Sequence, residues 1–80
     1  MELIETPNPN AKKIEIKHGI EVGTIIKSTS DENNELCNKL ISVSGINTIF
    51  VGPDFLTLTK EENINWDSIN HDILTQFDKI

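Results

Sequence analysis

The sequence predicts an α+β domain of two layers, with one antiparallel sheet and both helices on one face, in the order β-β-α-β-β-α. Three observations predict it. Two stretches alternate apolar and polar residues on either side of rigid turns. Two others repeat apolar residues every three or four positions. Each alternating pair precedes one helical stretch, and such an arrangement stacks helices on a sheet. Residues 1–80 read as a single domain with no internal linker.

The elements follow in order. Met1 to Thr6 is a short run containing apolar residues. Thr6-Pro7-Asn8-Pro9-Asn10 is the strongest turn signal: two prolines fix φ and remove two N–H donors, and asparagine tolerates left-handed geometry. Lys13-Ile14-Glu15-Ile16-Lys17 then alternates, which makes the first hairpin. Thr24-Ile25-Ile26 reads as a strand fragment. Ser28, Thr29, Ser30 and Asp31 crowd together as N-cap candidates, and Thr29 with Glu32 has capping-box spacing. Leu36, Leu40 and Val43, with Cys37 and Ile41 alongside, give one helical face, and Gly45 ends it. Ile46 to Val51 and Phe55 to Lys60 are strands around Gly52-Pro53-Asp54. Trp66, Ile69, Ile73, Phe77 and Ile80 form the clearest amphipathic stripe, widened by Leu74 and preceded by Asn65 as a cap. Trp66, the largest apolar side chain, is expected to anchor this helix on the sheet.

Composition excludes several classes. The 80 residues hold 7 Lys plus Arg against 13 Asp plus Glu, a net charge of −6, with one Cys. All seven cations are lysine. Such a balance argues against nucleic acid and anionic membranes, where cationic contacts dominate affinity. No run reaches the roughly 18 apolar residues of a membrane span, and no export signal opens the chain. A lone cysteine makes no internal disulfide and no CxxC, which fits a reducing, cytoplasmic setting. A chain this short buries only about 60–65% of its unfolded surface, so a deep catalytic cleft is not expected. No GxSxG elbow, GxGxxG or Walker sequence occurs, and the chain is not expected to be an enzyme.

The chemistry-bearing residues are few. Cys37 lies beside an apolar stripe and reads first as a small buried hydrophobe. His18 and His71 are far apart in sequence, and His71 has Asp67 one turn before it for a surface pair. Cys37, His18 and His71 are weak metal candidates, because zinc wants about four nitrogen or sulfur ligands. Asp31-Glu32 suits a helix N-terminus. Weak iron on carboxylates, there or at Glu61-Glu62, is the other metal option. Pro7, Asn8, Pro9 and Asn10 read first as a stiff turn. A rigid exposed turn also loses little entropy on binding, which makes these four residues the partner-binding candidate.

Taken together, these segments resemble one family. Thr6 to Asn10 followed by Lys13 is similar to the opening of the Nfu/NifU-related N-terminal domain. Leu36, Leu40, Val43, Gly45 and Ile46 resemble its helix-to-strand pattern. Ile49-Phe50-Val51-Gly52-Pro53-Asp54-Phe55-Leu56-Thr57-Leu58-Thr59-Lys60 resembles its central block, and Trp66, Ile69, Ile73 and Leu74 its last helix. Ile14, the Asn34–Cys37 tract and His71 depart from the usual residues. Full-length relatives carry a CxxC domain that holds the iron–sulfur cluster, and this sequence has none. The resemblance therefore implies a stand-alone, non-catalytic accessory module that meets protein partners of iron–sulfur cluster assembly, as a monomer or weak homodimer. Direct iron or metal binding in the same pathway is the alternative.

Overall fold

The computed structural model of the chain describes residues 2–78. The elements are β1 (Ile4–Glu5), β2 (Ala11–Glu15), β3 (Ile25–Ile26), α1 (Glu35–Ile41), β4 (Ile46–Gly52), β5 (Phe55–Lys60) and α2 (Trp66–Asp78). They form the expected α+β domain. The five strands run antiparallel in the order β1-β2-β5-β4-β3. The fragment at Ile25–Ile26 is the fifth strand, paired with Phe50 and Ile49 at the far edge.

Alternation decides which side chains enter the core. Ile14, Leu56, Val51, Leu58, Ile49 and Ile26 lie on the buried face, where cross-strand partners share a side. Leu40 and Cys37 of α1 and Ile69 and Ile73 of α2 cover them. Each fully buried Ile or Leu contributes about 1.5–3 kcal/mol relative to exposure, so this interface is the main source of cohesion. Leu36, Trp66 and Phe77 are half-buried at its margin. Ile80, the expected end of the α2 stripe, and Met1 lie outside the described residues.

The start of α1 differs from expectation. The Thr29–Glu32 capping box does not form, and Asp31 and Glu32 precede the helix. Asn34 is the N-cap, its Oδ1 accepting from the Leu36 N–H at 2.8 Å. Upstream, the Asn38 amide ties the chain instead: Nδ2 donates to the Ser30 carbonyl and Oδ1 accepts from the Ser30 N–H. A side chain already in the helix thereby organises the loop before it. That leaves α1 only seven residues long, too short to persist without packing.

Two turns position the central hairpin. The end of α1 also differs from expectation: the helix stops at Ile41 with Ser42 as its C-cap, so Val43 lies beyond it. Gly45, with φ +102, closes the turn into β4 rather than the helix itself; a Cβ there would lie 2.8 Å from Ile64 Cδ1. At the β4–β5 turn Asp54 takes φ 56, a left-handed value that Asp adopts more readily than most residues. Gly52 lies under the Phe55 ring, where a Cβ would collide with it.

Candidate functional site

The Pro7–Asn10 turn is built mainly from its own polar groups. Thr6 Oγ1 accepts from the Asn8 N–H at 3.2 Å, and its single proton has the Ala11 carbonyl at 2.8 Å and the Asn8 carbonyl at 3.0 Å. Asn8 Oδ1 accepts from the Asn10 N–H at 2.9 Å, and the Asn8 carbonyl from the Ala11 N–H at 3.0 Å. Such bonds from side chain to nearby backbone stabilise a turn locally.

Tertiary help is also present. Lys60 is 7% exposed, the only charged side chain buried among the described residues. Its Nζ donates to Asn10 Oδ1 at 2.9 Å and to the Glu61 carbonyl at 3.2 Å, while its backbone N–H donates to the Asn10 carbonyl at 2.8 Å. Trp66 Nε1 donates to the Pro9 carbonyl at 3.0 Å. The Lys12 and Lys60 ammonium groups lie 5.4 and 5.8 Å from the indole centroid, within cation–π range. One end of β5 and one end of α2 thus clamp the turn.

Pro7, Asn8 and Pro9 stay exposed, and Asn10 is half-buried. Beside them is a cavity of about 260 Å³, bounded by Thr6, Pro7, Asn8, Pro9, Lys12 and Trp66. Proline rings, an amide, an ammonium, an indole edge and the acidic Glu5 lie around it. Trp66 joins this site as well as the core margin, a position its place on the apolar stripe did not reveal. The role of Lys60 was legible in principle. Counting by twos along β5 puts Lys60 on the same face as Leu56 and Leu58, and a lysine there needs buried partners.

The metal candidates occupy three separate surroundings. His18 Nδ1 accepts from the Ile20 N–H at 3.2 Å, so Nε2 carries the proton and donates to the Gly52 carbonyl at 2.7 Å. Both ring nitrogens are engaged, Nδ1 within the loop after β2 and Nε2 tying that loop to the central hairpin. Cys37 is fully buried in the core, and that burial pushes its thiol pKa up. A thiol kept neutral is a poor ligand. His71 is exposed on α2, and no ion pair to Asp67 forms among the described residues. Among those residues, no three His, Cys, Asp or Glu side chains converge. Glu61 and Glu62 are exposed at the loop after β5. The residues present do not fit an iron–sulfur cluster. A larger concavity of about 550 Å³ between α1 and α2, lined in part by Glu35, Asn38 and Asp72, holds neither cysteine nor histidine.

The family model for the scaffold protein Nfu/NifU N terminal matches residues 1–80. The chain belongs to the Nfu/NifU N-terminal family. Relatives agree. The human mitochondrial NFU1 iron-sulfur cluster scaffold homolog is 37% identical over 73 residues, covering 86% of this chain and 29% of that protein. The mitochondrial NifU-like protein 5 of Arabidopsis thaliana is 31% identical, covering 85% of this chain and 26% of that one. Among solved structures, protein SAV1430 from Staphylococcus aureus superposes with TM-score 0.81 at 29% identity, covering 96% of this chain and 99% of that one. This Nfu/NifU N-terminal chain thus spans less than a third of the two curated relatives. Membership associates it with iron–sulfur cluster assembly. No helix among the described residues is long and apolar enough to cross a membrane.

Proposed function

We propose that this chain is a non-catalytic protein-interaction module of iron–sulfur cluster assembly, and that it docks partners through the Pro7–Asn10 turn. Cytoplasmic residence is part of the proposal. So is the absence of a resident metal: the domain contributes contacts, and the cluster is cargo held elsewhere. The observation that carries the reading is the clamped turn. Lys60 and Trp66, fifty or more residues further along the sequence, fix a loop whose two proline rings and Asn8 remain in solvent. A surface ordered before binding loses little entropy when a partner arrives.

The test compares wild type with Pro7→Ala/Asn8→Ser, which leaves the Asn10 and Pro9 acceptors in place. Each is immobilised and offered extract from source cells, and captured proteins are identified by mass spectrometry. Iron–sulfur assembly proteins retained by wild type and lost by the folded variant support the proposal. Equal capture by both would make the turn a purely structural element.

A further inference from the structure

The sheet face away from the helices is uncovered. One row crosses all five strands on that face: Ile25, Phe50, Thr57, Lys13 and Ile4, each paired with the next. Ile25 and Phe50 are 59% and 41% exposed, and two of the three exposed large hydrophobics of the described residues therefore share this row. The third, Val22, is next to it, since Gly23 and Thr24 hydrogen-bond to the Val51 backbone.

Charge separates the segments that carry the helices from those that carry the strands. Residues 28–45 and 61–80, which carry the helices, hold eight acidic residues against two lysines. Residues 1–27 and 46–60, which carry the strands, hold five of each sign. The whole net charge of −6 thus belongs to the helix-bearing segments, and the strand-bearing ones are neutral. On the open face itself, Lys13 and Glu15 stand two residues apart on β2, and neither forms an ion pair among the described residues. Lys13 instead lies 5.6 Å from the Phe55 centroid.

We propose that a second copy of this chain covers the face, sheet against sheet, about a two-fold axis. Self-association by any helix-bearing surface brings like charges together. Face-to-face packing sets the sheets roughly 10 Å apart and leaves the acidic layers outermost, more than two Debye lengths of about 8 Å from each other. An axis near the β2–β5 pair places Lys13 of each copy against Glu15 of the other, the self-complementarity that a two-fold interface requires. Edge-to-edge pairing is less suited, because β1 and β3 are only two residues long. The 22 residues of the five strands, at about 3.3 Å rise and about 4.8 Å between strands, give roughly 350 Å² in plan. That is less than half the roughly 800 Å² per partner of a standard interface, so the dimer is weak, with Kd on the order of 0.1–1 mM.

The experiment is sedimentation equilibrium from about 10 μM to 2 mM, with amide shifts followed over the same range. The expected result is an apparent mass rising toward twice the monomer, with shifts concentrated at Lys13, Ile25, Phe50 and Thr57. Phe50→Lys, with its fold checked by circular dichroism, should weaken association at least tenfold. Lys13→Glu should weaken it too, and the exchange Lys13→Glu/Glu15→Lys should restore it. A monomeric mass at 2 mM overturns the proposal. So does a dimer whose shifts map to the helices, or one that Phe50→Lys leaves unchanged.

Discussion

Replacing Asn10 by alanine isolates the contact that holds the turn to the sheet. Lys60 is nearly closed off from water, and its ammonium has Asn10 Oδ1 at 2.9 Å, the Glu61 carbonyl at 3.2 Å and the Trp66 ring. Hydrogen bonds to charged groups contribute about 1.5–3 kcal/mol. Asn10 is half-buried, so water recovers part of the loss, and the lower end of about 1.5–2 kcal/mol applies. For a domain of 60–100 residues each kcal/mol moves Tm by about 4–8 °C. Asn10→Ala should therefore lower Tm by roughly 6–16 °C, and the urea midpoint should fall with an unchanged slope. Asn10→Asp, which keeps an acceptor, should stay near wild type. Combining Asn10→Ala with Lys60→Met should show a coupling of about 1 kcal/mol or more. A coupling near zero, or Asn10→Ala within about 0.5 kcal/mol of wild type, would refute the clamp.

Trp66→Phe, read by urea unfolding, should cost about 1 kcal/mol for the lost bond to Pro9. Trp66→Ala should cost about 2–3 kcal/mol, below the 3–5 kcal/mol of a fully buried tryptophan, because the ring is only half-buried. Because burial raises the Cys37 thiol pKa, the unfolded thiol releases its proton first as pH rises. The thiol's contribution is complete at neutral pH and declines once pH passes the ordinary thiol range. Cys37→Ala should flatten that decline in a series of unfolding midpoints. Anaerobic reconstitution with iron and sulfide, followed by desalting, should leave far less than one iron per chain, with no difference in Cys37→Ser. Stoichiometric iron that disappears in Cys37→Ser would make the chain a cluster-binding protein.

Periodicity made most of the fold legible. The Pro-Asn turn, the β4–β5 hairpin and the α2 stripe each announce themselves within a few residues, because local geometry and burial demand the same residue types there. The α1 start was not legible. Thr29 and Glu32 have the right spacing, but Asn38 binds the loop across eight residues and Asn34 takes the cap. A two-residue strand such as β3 has too few positions to show a period. At the candidate site the turn residues were visible and their clamp was not. Asn10 and Lys60 are fifty residues apart, and Pro9 and Trp66 fifty-seven. Only the strand order brings them together.

That strand order also bears on how the chain acquires its structure. β2 pairs with β5, so its strand partners lie forty to forty-eight residues later in the chain. β3 likewise waits for β4. During synthesis, roughly the first half of the chain emerges with only the β1–β2 hairpin able to close, and Ile14 and Ile26 have no sheet to enter. The β4–β5 hairpin needs only a two-residue turn and is the cheapest nucleus in loop-closure entropy. The N-terminal turn is thus set in place last. Mutational φ-values should be high at Ile49 and Leu58 and low at Ile14, and the reverse order would show that the N-terminal hairpin leads.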